Sequence, residues 1–120
     1  MLKVGTDIVS IDRITRARHR FGTRFLDRYL RPEEYRHLPS DASLAGYWAA
    51  KEAIAKALGC GIGGELGFHD IVLGKEAQGA PVFTLSDTAL ERFPIRESSL
   101  SVSHDGGFAI AVAVILLDDG

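Results

Sequence analysis

Two acidic side chains and one basic side chain have the types and spacing that phosphate chemistry needs. Trp48, Glu52 and Lys56 follow one another at intervals of four residues, so an α-helix would place all three on one face. Asp7 is the one charged residue in the segment 4–11, which is predicted to be a strand. A carboxylate in a strand core is costly unless a partner or a cation compensates it. Together, Asp7 and Glu52 would supply two hard oxygen ligands, which suits Mg²⁺ carried with substrate phosphates and water.

Both features also have plainer interpretations. Glu52 and Lys56 stand in the favourable order for an exposed salt bridge, which stabilises a helix by only about 0.2–0.5 kcal/mol. Asp7, at a strand end, would cap the helix predicted to begin at Ile11. The residue types alone leave these alternatives open.

A glycine-rich segment follows the predicted central helix. Gly59, Gly61 and Gly64 satisfy the pattern G-x-G-x-x-G. The dinucleotide-binding mechanism needs a strand before the glycines and a helix after them, whereas here a helix precedes and a strand follows. No Gly-Lys-Ser/Thr follows either, which excludes a P-loop. Two interpretations remain: a helix stop with a flexible loop, or a backbone at Gly61 and Gly63 that a ligand approaches closely.

The sequence Ser103-His104-Asp105 contains the residue types of a hydrolytic triad. Adjacent residues at the end of a strand do not converge as nucleophile, base and orienting group, so a triad is rejected. A phosphate contact from Ser103 or His104 is the more plausible chemistry. A plain turn is the alternative.

Arginines are concentrated in residues 13–31, which hold seven of them against the single acid Asp27, a net charge of +6. Such a block is either a solvated helix surface or a docking surface for an acidic partner: nucleic acid, an anionic membrane or an acidic protein. Every cation in the block is arginine, whose planar fork suits carboxylates and phosphates. We therefore favour a specific surface.

The composition excludes several classes of protein. The 120 residues, 46% hydrophobic and 25% charged, predict one folded domain spanning 1–120. The single Cys60 cannot form an internal disulfide, so a reduced, cytoplasmic compartment is expected. The longest apolar run, Phe108–Leu117, has ten residues against the roughly 20 of a membrane helix, and the N-terminus lacks the apolar stretch of a signal peptide.

Hydrophobic periodicity predicts an α+β fold, with helices mostly first and strands mostly last. The longest helix is predicted from about Ala42 to Leu58, capped by Ser40 or Asp41 and stopped by Gly59. The other predicted helices are Ile11 to about His19, Thr23–Leu30, a short one starting at Arg31-Pro32, and Ser86–Phe93. The predicted strands are Leu2–Val9, Phe68–Leu73, Pro81–Leu85, Ser99–Ser103 and Phe108–Leu117, with a turn at His104–Gly107 between the last two. The continuous apolar run of the last strand needs cover on both faces, which suggests oligomerisation.

Several of these segments occur in one order and spacing: Gly5-Thr6-Asp7-Ile8-Val9, then Trp48-x-x-Lys51-Glu52-Ala53-x-x-Lys56-Ala57-Leu58-Gly59, then Gly61-Ile62-Gly63, then Ser101-Val102-Ser103-His104-Asp105 with Phe108-Ala109. As a set, from about residue 3 to 115, they resemble the 4′-phosphopantetheinyl transferases. The length is similar to that of the small holo-acyl-carrier-protein synthase branch. The resemblance implies a single domain in which an antiparallel sheet packs on a long central helix.

The resemblance also implies an activity. Such an enzyme moves 4′-phosphopantetheine from coenzyme A to a serine hydroxyl of an apo acyl carrier protein, as in fatty acid biosynthesis, and releases 3′,5′-ADP. Mg²⁺ would bridge the pyrophosphate, with Asp7 and Glu52 as its ligands and Lys56 as a pyrophosphate contact. Ser103 and His104 fall where the family contacts coenzyme A phosphates. Glu52 is the candidate proton acceptor.

Partners follow from the same resemblance. The basic first helix of the family docks the acidic helix of the carrier protein, which corresponds here to Arg13, Arg16 and Arg20. The small branch is similar to a homotrimer with its sites between subunits, which would explain the apolar run Phe108–Leu117. No nucleic acid and no membrane is expected as a partner.

The chain departs from the family pattern at two places. Ser10 stands where the family often has Glu, and Tyr47-Trp48 stand where it often has Arg-Phe. That Arg is a coenzyme A contact, so one phosphate contact is left without a residue.

Two competing functions remain. The first is a non-enzymatic RNA- or membrane-binding module that uses the 13–31 arginines, although the segment lacks an aromatic RNP-type strand and a GXXG between helices. The second is a nucleotide hydrolase using the same acids. ADP release without a carrier protein would distinguish the hydrolase.

Overall fold

The computed structural model describes residues 1–38 and 40–118, in which five α-helices and five strands occur. The helices are α1 (Ile11–Phe21), α2 (Thr23–Tyr29), α3 (Pro32–Tyr35), α4 (Asp41–Ala57) and α5 (Asp87–Arg92). The strands are β1 (Leu2–Ser10), β2 (Ile71–Lys75), β3 (Pro81–Leu85), β4 (Ile95–Asp105) and β5 (Phe108–Leu117). No helix among these residues is both long enough and apolar enough to cross a membrane.

Strand β5 lies in the middle of a three-stranded antiparallel sheet, between β1 and β4. Helix α4 packs along one face of this sheet, against β1 and β5 above all. Strands β2 and β3 form a separate antiparallel hairpin. The predicted α+β class, with an antiparallel sheet packed on a long central helix, is confirmed.

The two faces of the sheet differ in their surroundings, because successive side chains of a strand point to opposite sides. On the face toward α4, β5 presents small buried side chains such as Ala111 and Ala113. The opposite face, called here the outer sheet face, is not covered by any of the elements in residues 1–38 and 40–118. Its exposed apolar side chains are Leu2, Val4, Ile8, Phe108 and Ile110, between 42% and 69% exposed.

Gly5 brings β1 unusually close to α4. A Cβ added at Gly5 would collide with the backbone carbonyl of Ala53 and stand 2.5 Å from the backbone nitrogen of Ala57. Both obstacles belong to the helix backbone, which cannot rotate away as a side chain can. The close approach matters for function because Asp7 follows two residues later on the same strand.

Gly5→Ala is therefore expected to lower the free energy of unfolding by about 3 kcal/mol or more, the upper part of the range for overpacking. Gly64→Ala is the matched control, since a Cβ there meets nothing within 4 Å and the backbone is not left-handed. Urea unfolding of both variants measures the difference. Equal stability of the two variants would contradict the close packing of β1 on α4.

The ends of several elements correct the sequence-based predictions. Ser40 is the cap of α4, accepting from the Ser43 amide at 3.2 Å. The predicted strand Phe68–Leu73 is wrong over its first half, which is a 3₁₀ turn. That turn forms because the Asp70 carboxylate accepts from the Gly67 amide at 2.8 Å. The last turn comprises only Gly106-Gly107, because β4 continues to Asp105.

Candidate active site

Strand β1 and helix α4 bring Asp7 and Lys56 together. Asp7 pairs in register with the buried Ala111 and so points to the α4 side of the sheet. The Lys56 Nζ donates to Asp7 Oδ1 at 2.9 Å. The Asp7 side chain is 14% exposed and that of Lys56 52% exposed. Lys56 of α4 therefore forms its ion pair with Asp7 of β1. It does not form the salt bridge with Glu52, on its own helix, that the plainer interpretation predicts.

Glu52 lies one helical turn before Lys56 and close enough to Asp7 for the two charges to interact. Its pKa is raised from the ordinary value, first by burial and then by the negative charge of Asp7, while Lys56 and Arg13 act in the opposite direction. A cation between Asp7 and Glu52 would relieve the repulsion between the two carboxylates at this half-open site.

The donor set fits a magnesium ion. Asp7 and Glu52 offer carboxylate oxygens, and no group of three or more His, Cys, Asp or Glu side chains suited to a metal occurs in residues 1–38 and 40–118. An ion bound here must fill its shell mainly from water and substrate. Mg²⁺ usually keeps several water ligands and binds only one or two protein carboxylates. Ca²⁺ is usually coordinated by six to eight oxygens, more of them from the protein.

Trp48 has a different surrounding from the one that helical spacing suggests. Its ring packs in a cluster with Phe25, Tyr29 and Phe68, at centroid distances of 5.0 to 6.0 Å. The Arg13 guanidinium carbon lies 5.8 Å from the Trp48 ring centroid. Trp48 is thus mainly a packing residue. It holds Arg13 of α1 near Asp7 and Glu52, which are called here the acidic pair.

The glycine loop, residues 59–67, begins where α4 ends. Gly59 and Gly61 have φ angles of 85° and 64°, the left-handed region that favours glycine. The amides of Cys60 and Gly61 both donate to the Ala55 carbonyl, which closes the helix. A Cβ added at Gly61 or Gly63 meets nothing within 4 Å. The helix stop is confirmed, and there is open space beside both glycines.

Ser103 and His104 lie on opposite faces of the sheet. Ser103 pairs with the exposed Ile110, on the outer sheet face, and His104 pairs with the buried Ala109. The rejection of a Ser-His-Asp triad therefore agrees with the geometry. Within one chain, the two side chains do not converge on one ligand.

His104 lines a cavity of about 200 Å³ between α4, β4 and the β2–β3 hairpin. Tyr47 and Lys75 line the same cavity, with Leu38 and Pro81 as apolar walls. Lys75 was not singled out from the sequence, since a lysine at a strand end carries no local signal. On α4, Tyr47 is five residues before Glu52, about 140° around the helix, so the cavity and the acidic pair lie on different sides of α4.

The arginines of residues 13–31 divide into two groups. Arg18 donates to Asp41 at 2.7 Å, which ties α1 to α4 and holds the pKa of that carboxyl below its ordinary value. Arg31 donates to the His69 carbonyl at 2.7 Å. The exposed arginines are Arg13, Arg16, Arg20, Arg24 and Arg28. Only this second group is available to a partner.

Comparison with known proteins agrees with the residue pattern. A model of the family described as the 4′-phosphopantetheinyl transferase superfamily matches residues 3–113. The chain is 60% identical to a holo-[acyl-carrier-protein] synthase of Sulfurovum sp. over 114 residues, covering 95% of this chain and 96% of the relative.

Two solved structures are also similar. The holo-[acyl-carrier-protein] synthase of Helicobacter pylori in complex with coenzyme A has a TM-score of 0.88 and 46% identity, covering 94% of this chain and 99% of that one. The synthase of Neisseria meningitidis has a TM-score of 0.85 and 39% identity, covering 95% and 97%. The RNA- or membrane-binding alternative finds no support in these relatives. The chain therefore belongs to the 4′-phosphopantetheinyl transferase superfamily, in its holo-[acyl-carrier-protein] synthase branch.

Proposed function

We propose that this chain transfers 4′-phosphopantetheine from coenzyme A to a serine hydroxyl of an apo acyl carrier protein and releases 3′,5′-ADP. The observation that carries the proposal is the convergence of Asp7, Glu52 and Lys56, in a chain of this family, at one half-open site between β1 and α4. Two carboxylates and an ammonium group match a reaction that neutralises and displaces a pyrophosphate.

At phosphorus, the reaction forms one bond and breaks one. The serine oxygen attacks the phosphorus on the pantetheine side, the bond from that phosphorus to the bridging oxygen breaks, and 3′,5′-ADP leaves with the electron pair. The serine proton goes to a base, and Glu52 is the candidate proton acceptor because its carboxylate lies beside Asp7 and Lys56 at the site. Lys56 orients the pyrophosphate and offsets its charge.

Asp7 and Glu52 are the residues that would hold magnesium. When bound, Mg²⁺ supplies neutralisation of the phosphate oxygens, which is worth several kcal/mol in the transition state. Asp7 also holds Lys56 at 2.9 Å, which keeps the ammonium at the edge of the site.

The remaining coenzyme A contacts are assigned to the glycine loop and to the cavity at His104. Gly61 and Gly63 leave room for a ligand next to the C-terminal end of α4, beside Lys56. His104 and Lys75 bring donors to one cavity with apolar walls, which suits the phosphate and base of a nucleotide. Lys75 is the proposed substitute for the phosphate contact that Tyr47 cannot make.

Gly63→Val is expected to weaken coenzyme A binding about tenfold or more while the melting temperature stays nearly unchanged, because the added side chain enters open space rather than protein. Gly61→Val is less diagnostic, since its left-handed backbone adds strain whatever the ligand does. Isothermal titration with coenzyme A and thermal unfolding measure the two effects. A lowered melting temperature with unchanged affinity would mean that the loop is only structural.

A homotrimer with sites between subunits explains two features of the single chain. The outer sheet face exposes apolar side chains that water disfavours. The acidic pair and the His104 cavity lie on different sides of α4, so that one coenzyme A molecule would need the acidic pair of one copy and the cavity of the next. Ser103, on the outer sheet face, would then lie against a neighbouring copy.

Sedimentation equilibrium is expected to give a mass of about three times 13.0 kDa. Ile110→Lys, in the outer sheet face, should dissociate the assembly and abolish transfer, because it buries an unpaired ammonium group at the interface. Thr84→Lys on β3 is the control, since Thr84 is exposed and off this sheet. A monomeric parent protein, or an intact trimer of Ile110→Lys, would refute the assembly.

The exposed arginines of α1 are proposed to dock the acidic helix of the carrier protein. Arg13 and Arg20 are exposed, and Arg13 stands next to Trp48 at the acidic pair. Arg16 is also exposed but forms an i,i+4 salt bridge with Asp12. A carrier protein on this surface would bring its serine toward Asp7 and Glu52.

Release of 3′,5′-ADP from coenzyme A tests the proposed reaction against the hydrolase alternative. Release is expected only when chain, Mg²⁺ and apo carrier protein are all present. Release at the same rate without carrier protein would indicate hydrolysis instead. Binding to RNA that falls steeply with salt, with no coenzyme A binding, would favour the RNA-binding module.

A further inference from the structure

Lys51 is a buried charge that the proposed reaction does not use. It precedes Glu52 on α4, about 100° away around the helix, and its side chain is fully buried. Its Nζ donates to Glu34 Oε1 at 2.9 Å and to the Phe68 carbonyl at 3.1 Å. Lys51 is part of the segment Trp48-x-x-Lys51-Glu52, and its partners are distant in sequence.

Glu34 extends these contacts to two more segments. Its Oε1 also accepts from the Arg31 amide at 2.7 Å, and its Oε2 accepts from the Leu73 amide at 2.9 Å. The pair therefore ties together α4, the start of α3, the 3₁₀ turn and β2. All of these partners are protein groups, and no buried side-chain nitrogen or oxygen of the described residues lacks a hydrogen-bond partner, so neither charge needs a ligand to compensate it.

Stability alone is a weak reason for such a pair. Removing two charges from water is costly, and replacing a buried ion pair with neutral groups of similar volume is often neutral or stabilising. Fully satisfied buried polar groups do fix one geometry, because any displacement leaves a charge unpaired.

The contact of Lys51 with the Phe68 carbonyl lies at the residue that directly follows the glycine loop. Five of the nine residues 59–67 are glycine, so the loop has much backbone freedom to lose on ordering. The near end is fixed by the bonds of Cys60 and Gly61 to the Ala55 carbonyl. The far end leads into Phe68, whose carbonyl is held by Lys51. Both anchors lie on α4, the helix that also bears Glu52 and Lys56.

We propose that Lys51 and Glu34 are positioning residues that hold the glycine loop in its ligand-binding shape relative to α4, and so lower the cost of ordering it around the phosphates of coenzyme A. The proposal rests on the proposed function, which places coenzyme A at this loop. It assigns Lys51 no contact with substrate. Loss of the pair weakens coenzyme A binding and leaves the carrier-protein surface on α1 unaffected.

The test uses the double variant Lys51→Met/Glu34→Gln, which removes the tether to Phe68, leaves no unpaired charge and keeps one of the two acceptor oxygens that the Arg31 and Leu73 amides use at position 34. The expected result is a coenzyme A Kd and KM raised about tenfold, because a loop that is no longer held must lose its freedom on binding. The KM for carrier protein is expected to stay within about twofold of the parent value. Hydrogen exchange of the amides of residues 61–68 should become faster, while that of the α4 core stays slow.

Leu100→Ala is the control for lowered stability, since it removes core volume on β4 without touching the pair. It should leave the coenzyme A Kd unchanged. An unchanged Kd and unchanged loop exchange in the double variant would overturn the proposal, as would an equal rise in Kd for Leu100→Ala. If the parent protein itself binds no coenzyme A, the proposed function fails instead. If the double variant does not fold, Lys51→Met alone is measured against the same outcomes, since Glu34 then keeps its bonds from the Arg31 and Leu73 amides.

Discussion

Asp7→Asn and Glu52→Gln are each expected to lower kcat/KM for transfer by roughly a thousandfold, because several kcal/mol of charge stabilisation in the transition state depend on the ion they hold. Both substitutions keep the size of the side chain and remove the charge. The fold should persist, since Gly5 and the apolar side chains of the sheet, not these carboxylates, pack β1 on α4. Initial rates over a range of Mg²⁺ concentrations measure the effect, and the concentration of Mg²⁺ for half-maximal rate should rise in both variants.

Glu91→Gln on the exposed surface of α5 is the matched control for the loss of one carboxylate. It should have the parent rate and the parent Mg²⁺ dependence. Near-normal turnover of both Asp7→Asn and Glu52→Gln at saturating Mg²⁺ would falsify the assignment of these residues as metal ligands. A melting temperature close to that of the parent protein is needed for either conclusion.

Charge reversal on α1 is the second large expected effect. Arg13→Glu and Arg20→Glu should each lower kcat/KM for the carrier protein by about tenfold at low salt, because steering between opposite charges raises the association rate. The loss should shrink as salt is raised, since exposed charges are then screened. The Kd for coenzyme A should change little, because its phosphates are assigned to Lys56, the glycine loop and the His104 cavity.

Arg96→Glu is the control for these reversals, because β4 begins at the end of the sheet opposite to the start of α1. Arg18 is unsuitable, since its bond to Asp41 joins α1 to α4. A compensating acid-to-base change on the carrier protein should restore part of the loss. Carrier-protein kinetics that are unchanged in Arg13→Glu and Arg20→Glu at every salt concentration would mean a solvated surface and no docking site.

Local sequence signals predicted the elements that hold the site. Helix α4 was predicted from Ala42 to Leu58 and occurs at Asp41–Ala57, because alanine content, a serine cap and a following glycine all agree. Strand β5 matches its prediction at both ends. Its ten apolar residues are bounded by a Gly-Gly turn before them and by polar residues after them, and these boundaries mark where the strand begins and ends. Strand β4 was predicted as Ser99–Ser103 and extends over Ile95–Asp105, because pairing with the long β5, not its own composition, decides its length.

Contacts between distant residues could not be predicted in this way. The ion pair of Lys56 with Asp7 spans 49 residues, and the bond of Lys51 to Glu34 spans 17, so no helical or strand periodicity connects them. Ser103 and His104 lie on opposite faces because successive side chains of a strand alternate. The sequence predicts a strand that ends at Ser103, so this alternation could be applied to His104 only after the structure had shown that β4 continues to Asp105. The cavity of Lys75 and His104 depends on how the β2–β3 hairpin lies against β4, which is a property of the tertiary fold.

Intact-mass spectrometry of an apo acyl carrier protein, incubated with this chain, coenzyme A and Mg²⁺, tests the central claim most directly. The account predicts that the carrier protein gains the mass of one 4′-phosphopantetheinyl group. It also predicts no gain when the acceptor serine is replaced by alanine or when Mg²⁺ is chelated. An unmodified carrier protein after prolonged incubation with a folded, coenzyme A-binding chain would contradict the account, as would a mass gain on the carrier that lacks the serine.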